Sequence, residues 1–476
     1  MPDDGGRGPG RSAKAPPQCR RCVALKWVFL LLLLSLSPAL ASYARQPRYQ
    51  PAFGFAMGAL PFLLGLLHLY VAPVSFPYWP GHTKGIEVSF IDALAIAILI
   101  GMPRRKPRGR LPWLFIAYIV VVALTATWAI DKLAAVGYTA QLIRMLLVFM
   151  AARRLAAHPD SFKAVVAGGV CALVIQLGYS VQQHFSGVLQ ATGTLGAQNL
   201  LGLMTNLIAI PALALALANV RGWSAKTGPI MALVIDVLTA SRATLAFGAA
   251  GMAALLLVSS KWRWTSRKAQ LFGLAGVAAL VVAPIAITTI SKRAHSNNVE
   301  SSNAEREAFK AAAWMMIRDY PAGVGANCYV VISNIGNYAS RAGVNATSGS
   351  RSTNVHDSYL LVTAETGMVS VILLMVFIGG GILKIMRTAF KNRKDRRGEY
   401  LLGIGMSLLT AGLHLKYEWA FVIYPVQYLM FLYLGLGMGI AEQVSADADA
   451  ARRAKRTAER QVREGAELEA GQGMAS

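Results

Sequence analysis

Apolar runs long enough to cross lipid recur from one end of this chain to the other. A hydrocarbon core about 30 Å thick needs roughly 18 or more consecutive apolar residues in helical form. Segments of that kind follow one another here with short loops between them. Inside lipid every backbone amide and carbonyl must be bonded within the protein, which leaves only helices and closed barrels. Transmembrane β-strands would be shorter and would alternate polar with apolar residues, and these segments do not. The sequence therefore predicts an all-α, polytopic membrane protein. With 55% hydrophobic and 15% charged residues, an ordinary soluble enzyme is excluded. No soluble domain of normal size fits between the spans.

The formal net charge of +24 could suggest nucleic acid as a partner. Its distribution argues otherwise, because most Lys and Arg lie in short loops and in the two tails, as cytoplasmic flanks of membrane spans do. The run Arg104-Arg105-Lys106-Pro107-Arg108-Gly109-Arg110, placed in the cytoplasm, sets the phase for the rest. Leu111–Ile130 then leads outward and Ala135–Ala152 returns to Arg153 and Arg154. Phe162–His184 and Gln198–Asn219 form the next pair, and Thr227–Ala240 and Ala243–Ser260 the one after. Ala269–Ile290 delivers a long polar insert, residues 291–367, to the far side. Met368–Met386, Tyr400–Lys416 and Ala420–Ala441 complete the series.

Ahead of this core, Val23 to Ala41 reads as an uncleaved first span, Pro51 to Ala72 as a second apolar stretch and Ile86 to Met102 as a third. If the first two both cross, the basic N-terminus lies outside. One of them is therefore expected to be interfacial or part of a broken helix. The expectation is about 12 transmembrane helices with both termini inside. Residues 1–22 read as a basic disordered cytoplasmic tail, 23–441 as the integral membrane domain and 442–476 as a charged cytoplasmic tail.

The insert is the only sizeable polar stretch between apolar segments, so water-side chemistry belongs there. His356 stands where a span begins. Asn354 is placed to cap the following helix, with Asp357 near its positive end. A histidine at the water boundary can exchange a proton near neutral pH, as a general base must. It can equally well end a span in an interfacial hydrogen bond. Arg242 falls between two apolar stretches on the far side, where charge bias does not ask for a cation. An arginine at bilayer depth costs roughly 2.5–3.5 kcal/mol, so it is paired or lines a wet cavity. Asp236 offers the pair, and a phosphate would suit the guanidinium fork.

Arg306 is expected in the first turn of an amphipathic helix from Asn303 to Tyr320, stopped by Pro321. A cation there opposes the helix dipole, which points to an external anion. Glu305 and Glu307 beside it allow a plain salt bridge. Arg341 and Arg351 lie in a Gly/Ser/Asn-rich loop, Ser340 to Thr353, that reads as a lid or as a connection. Cys19 and Cys22 form a C-x-x-C with no second pair nearby, Cys171 lies in an apolar span, and Cys328 stands alone. No metal constellation, P-loop or dinucleotide fingerprint is present. If the chemistry is group transfer, cationic side chains must stabilise a leaving phosphate.

These residues together resemble the O-antigen ligase and polymerase superfamily. Gly193-Thr194-Leu195-Gly196-Ala197-Gln198-Asn199 is similar to that family's G-T-(F/L)-G-x-x-N opening of a span. Ser241-Arg242 is similar to its S-R between spans. Arg306, Trp314, Pro321, Gly323, Gly325 and Tyr329 resemble its R…W…P-x-G-x-G…Y loop. His356-Asp357-Ser358-Tyr359-Leu360, with Glu365 and Gly367, resembles its H-(N/D)-x-(Y/F)-L…E-x-G. The likeness covers about residues 190–440.

The resemblance implies a glycosyltransferase of the bacterial inner membrane that needs neither metal nor cofactor, with the insert facing the periplasm. Its donor would be a glycan on undecaprenyl pyrophosphate. Its acceptor would be lipid A-core or another glycan, and its other partners membrane lipids. By the same resemblance His356 is the base or the group that orients the acceptor hydroxyl, and Arg242 and Arg306 clamp the pyrophosphate. Asn199, Arg341, Arg351 and Tyr359 are further substrate-binding candidates. Asp357, where the family often has Asn, would put a carboxylate beside the imidazole. A ligase of lipopolysaccharide or surface polysaccharide is expected. The alternatives are a repeat-unit polymerase, a protein O-glycosyltransferase and a solute transporter. A transporter would place polar groups and broken helices at mid-membrane, whereas these candidates gather at the outer face.

Overall fold

The computed structural model describes residues 20–103, 109–294 and 298–473. Cys19 with the tail before it, the basic run 104–108 and His295 lie outside the described residues. The chain opens with α1 (Arg20–Ala44), α2 (Gln50–Leu63), a hairpin of β1 (Tyr70–Ser75) and β2 (Gly85–Ser89), and α3 (Phe90–Gly101). Then come α4 (Leu111–Leu124), α5 (Lys132–Leu155), α6 (Ser161–Phe185), α7 (Gln198–Leu217), α8 (Trp223–Thr239) and α9 (Arg242–Trp262). After α10 (Ser266–Ala294) the insert holds α11 (Asn298–Asp319), α12 (Tyr329–Ile335), α13 (Tyr338–Arg341) and α14 (Ser348–Arg351). The chain closes with α15 (Ser358–Lys391), α16 (Arg396–His414) and α17 (Tyr424–Gly473).

By length and composition, 7 described helices can cross a membrane: the apolar parts of α1 and α17, and α5, α6, α7, α9 and α15. The α3 helix and the stretch Leu111–Thr127 are apolar but shorter. The architecture is that of a multi-pass helical membrane protein, with fewer helices meeting this criterion than the expected count of about 12. The front end accounts for part of the difference. The apolar stretch Pro51 to Ala72 is not one span: α2 stops at Leu63, and the chain then turns into β1. The antiparallel hairpin pairs Tyr70 with Ser89 and Val71 with Val88, then, past an irregularity, Val74 with Ile86. It is a small departure from the all-α expectation. Its strands are too short for alternation to stand out inside an apolar window.

The helix α7 is buried on every side, as its largely apolar sequence requires. Around it, local signals set where helices begin. Asp131 accepts from Ala134 N to start α5, and Ser241 accepts from Thr244 N to start α9. Asp395 accepts from Arg397 N to start α16. Each hydroxyl or carboxylate satisfies an amide that the first turn leaves without a partner. A stack of Phe115, Phe377 and Phe431 joins α4, α15 and α17, with ring centroids 4.7 to 6.1 Å apart. One buried arginine within the bundle is paired: Arg144 Nε lies 2.9 Å from Asp92 Oδ2, and Tyr428 OH donates to the same carboxylate. That pairing is what an arginine held away from water needs.

Candidate active site

The insert is hung on a break in α15. At Gly367 the backbone takes φ 82° and ψ 169°, and the helix is interrupted there. An interrupted helix leaves carbonyls without their usual amide partners. Here Val324 N donates to Ala364 O and Gly325 N to Glu365 O, both at 2.9 Å. The turn from Pro321 to Gly325 thus docks edge-on against the break. The fit requires glycine: a Cβ on Gly323, whose φ is +86°, would stand 2.4 Å from Glu365 O. The Glu365 side chain is buried, accepts from Tyr329 N at 3.1 Å and meets His82 Nε2 at 3.0 Å. Tyr329 OH in turn donates to Phe309 O on α11. The P-x-G-x-G…Y and E-x-G residues therefore hold α11 in place and do not line the cavity described next.

At the end of the bundle where α7, α9 and α15 begin and α16 ends lies a cavity of about 460 Å³. Asn199, Ser241, Arg242, Arg306, Phe309 and His356 line it, with Glu305 and Tyr417 among the others. Three of these side chains meet on one carboxylate, Glu418, in the turn after α16. His356 Nδ1 lies 3.2 Å from Glu418 Oε2, and Arg306 Nη2 lies 3.2 Å from Oε1. Asn199 Nδ2 donates to the same Oε1. The Glu418 side chain is 9% exposed and that of His356 24%. Burial works to raise the Glu418 carboxyl. The hydrogen bond and charge of His356, then the charges of Arg306 and His414, outweigh it and hold the group below the ordinary carboxylate range.

The residues after His356 build this neighbourhood. Asp357 Oδ1 accepts from Tyr359 N and Leu360 N and so caps α15. Its Oδ2 is 2.6 Å from Lys416 Nζ, close enough for an ion pair although not in hydrogen-bond geometry. Ser358 Oγ donates to Glu418 O at 2.6 Å and accepts from Phe421 N. His356, Asp357 and Ser358 thus fasten the 416–418 turn against the start of α15.

The family model described as O-Antigen ligase matches residues 229–375, an interval that contains Arg242, Arg306 and His356. That interval of the chain is similar to the O-antigen ligase family. The match supports the O-antigen ligase and polymerase superfamily, whose members are glycosyltransferase-like membrane enzymes acting on lipid-linked glycans and acceptors. No curated protein matches the chain.

Several expectations about the site residues change. Arg306 is not in the first turn of its helix, because α11 begins earlier, at Asn298. Its partner is Glu418, while Glu307 pairs with Lys310 and Glu305 accepts from Asn345. Arg242 does not pair with Asp236; it is exposed at the start of α9 and lines the cavity. Asp357 rather than Asn354 caps α15, and the buried Asn354 Oδ1 is left without a partner. The carboxylate that meets the imidazole is therefore Glu418, not Asp357.

Arg351 does not line the cavity. It bonds Ser340 Oγ and the carbonyls of Val344 and Asn345, and so pins the loop before it. Arg341 lies over the Tyr338 ring, its Cζ 5.6 Å from the centroid, also away from the cavity. Tyr359 OH donates to Gly412 O at 2.6 Å, tying α15 to α16. Sequence reasoning missed Glu418. The one available signal was its position: an acidic residue in the short turn that the charge-derived topology places on the same side as the insert.

Proposed function

We propose that this protein is a membrane glycosyltransferase of the O-antigen ligase type. It moves a glycan from undecaprenyl pyrophosphate to a hydroxyl of lipid A-core on the periplasmic side of the bacterial inner membrane. The observation that carries the reading is that Arg242, Arg306 and His356, drawn from separate elements, line one cavity of about 460 Å³. Its size is within the range of sites that enclose small ligands, roughly 300–1,000 Å³. In the reaction the acceptor oxygen forms a bond to the anomeric carbon, and the bond from that carbon to the pyrophosphate oxygen breaks. The electron pair leaves with the pyrophosphate, and the acceptor proton passes to His356. Arg242 and Arg306 face the charge that develops on the leaving group, where fixed cations are worth most. Asn199 lines the same space.

A positioned base contributes about 10²- to 10⁴-fold in rate. Purified protein is reconstituted with an undecaprenyl-pyrophosphate-linked repeat unit and lipid A-core. His356→Ala is expected to lose transfer by that factor while inserting normally. Normal transfer by this variant sinks the proposal. Analysis of the product separates ligation to lipid A-core from extension of a second lipid-linked repeat, the polymerase outcome.

A further inference from the structure

We infer that Glu418 is a positioning residue for this transfer: its carboxylate dictates which nitrogen of His356 carries the proton, and it holds Arg306 until pyrophosphate takes the guanidinium away. The inference rests on the glycosyltransferase reading above and names a residue outside the matched interval 229–375.

An ionised carboxylate only accepts hydrogen bonds. Opposite Glu418 Oε2 the proton of a neutral His356 must therefore sit on Nδ1, 3.2 Å away. That leaves Nε2 with its lone pair free to take a proton from an acceptor hydroxyl. Oε1 is already committed, since it accepts from both Asn199 Nδ2 and Arg306 Nη2. The charged and titratable groups around Glu418 are Arg306 from α11, His356 before α15 and His414 from α16. Asn199 from α7 is neutral. Lys416 in the same turn is turned to Asp357. Arg306 and Arg242 line the same cavity, yet only Arg306 is paired with a carboxylate. A pyrophosphate entering the cavity competes with Glu418 for Arg306, and Arg242 is already open to it.

This arrangement makes the isosteric variant Glu418→Gln informative. Two donors converge on the Oε1 position, so the glutamine oxygen is held there and its NH₂ group faces His356 Nδ1. An NH₂ group needs an acceptor, which forces the histidine proton onto Nε2, the wrong nitrogen for a base. The expected result is a fall in kcat of about 10²- to 10⁴-fold, the range typical for a mispositioned or missing base. Affinity for undecaprenyl pyrophosphate should stay equal or become tighter, because Arg306 no longer leaves a full negative charge behind.

Binding of undecaprenyl pyrophosphate and turnover of the linked donor are measured on wild type and Glu418→Gln. The ¹⁵N NMR spectrum of histidine-labelled wild type is recorded at a pH where the ring is neutral. A proton on Nδ1 of His356 in the wild type, lost turnover and undiminished binding in the variant together support the inference. A proton on Nε2 in the wild type overturns it, whether or not the variant folds. So does full turnover by Glu418→Gln, or weakened binding, which is what simple structural damage would give. If His356→Ala is inactive while Glu418→Gln turns over normally, Glu418 alone is misassigned. If His356→Ala is active, the glycosyltransferase reading itself fails.

Discussion

At the scale of single residues, the two arginines of the cavity are not equivalent. Arg306 is half engaged by Glu418 before any ligand arrives, whereas Arg242 is exposed at the first position of α9. An arginine grips phosphate oxygens with a planar fork, and lysine offers only a compact ammonium. Arg242→Lys keeps the charge and loses the fork. It is expected to weaken undecaprenyl pyrophosphate binding by about ten- to a hundredfold, the value of one charged hydrogen bond of roughly 1.5–3 kcal/mol. A binding titration that finds Arg242→Lys equal to wild type removes the clamp. Arg242 and His356 stand out in the sequence because each breaks a local rule, a cation at the outer edge of a span and a histidine where a span begins, whereas Arg306 stands out only through a first-turn placement that α11, beginning at Asn298, does not give it. Glu418 breaks none. One acidic residue in a turn between spans looks like ordinary solvated polarity, and its partners on α7, α11 and the start of α15 are brought to it only by folding.

At the scale of elements, the break in α15 decides how the insert is held. The long apolar run after residue 357 made the helix legible, and Gly367 stood out within it. Its left-handed backbone and the docking of the Pro321–Gly325 turn were not legible, because they depend on carbonyls meeting amides some forty residues apart in sequence. The hairpin of β1 and β2 was hidden for a related reason: it occupies what composition alone reads as apolar helix. Gly323→Ala tests the docking. It puts a Cβ at 2.4 Å from Glu365 O on a backbone with φ +86°, and the strained conformation alone costs about 1–3 kcal/mol. The variant is expected to lower the thermal unfolding midpoint and to make the insert more readily cleaved by protease. Since α11 carries Arg306, transfer should fall with it. A variant as stable and as protease-resistant as the parent shows that the turn does not depend on this contact.

At the scale of the whole molecule, charge and cavity lie at opposite ends of the bundle. The helices α9 and α15 begin at the cavity and end in Lys261 and Lys391, and α16 runs the other way from Arg396 to His414. At the far end Arg153 grips Glu442 through two bonds, Lys384 reaches the same carboxylate, and Lys268 pairs with Glu399. Cations cluster on the cytoplasmic side of spans, so the proposed function has that end facing the cytoplasm and the cavity facing away from it. Two exposed positions report the orientation. Asn345 lies in the insert, and Arg393 lies in the basic turn between α15 and α16. In intact inner-membrane vesicles of right-side-out orientation, Asn345→Cys is expected to react with a membrane-impermeant maleimide, and Arg393→Cys only after the bilayer is opened. Inverted vesicles should reverse the pattern. Cys19, Cys22, Cys171 and Cys328 remain in both variants, so the parent protein supplies the background in each case. The opposite labelling would place His356 and both arginines in the cytoplasm, where neither a periplasmic acceptor nor a donor already carried across the membrane could reach them.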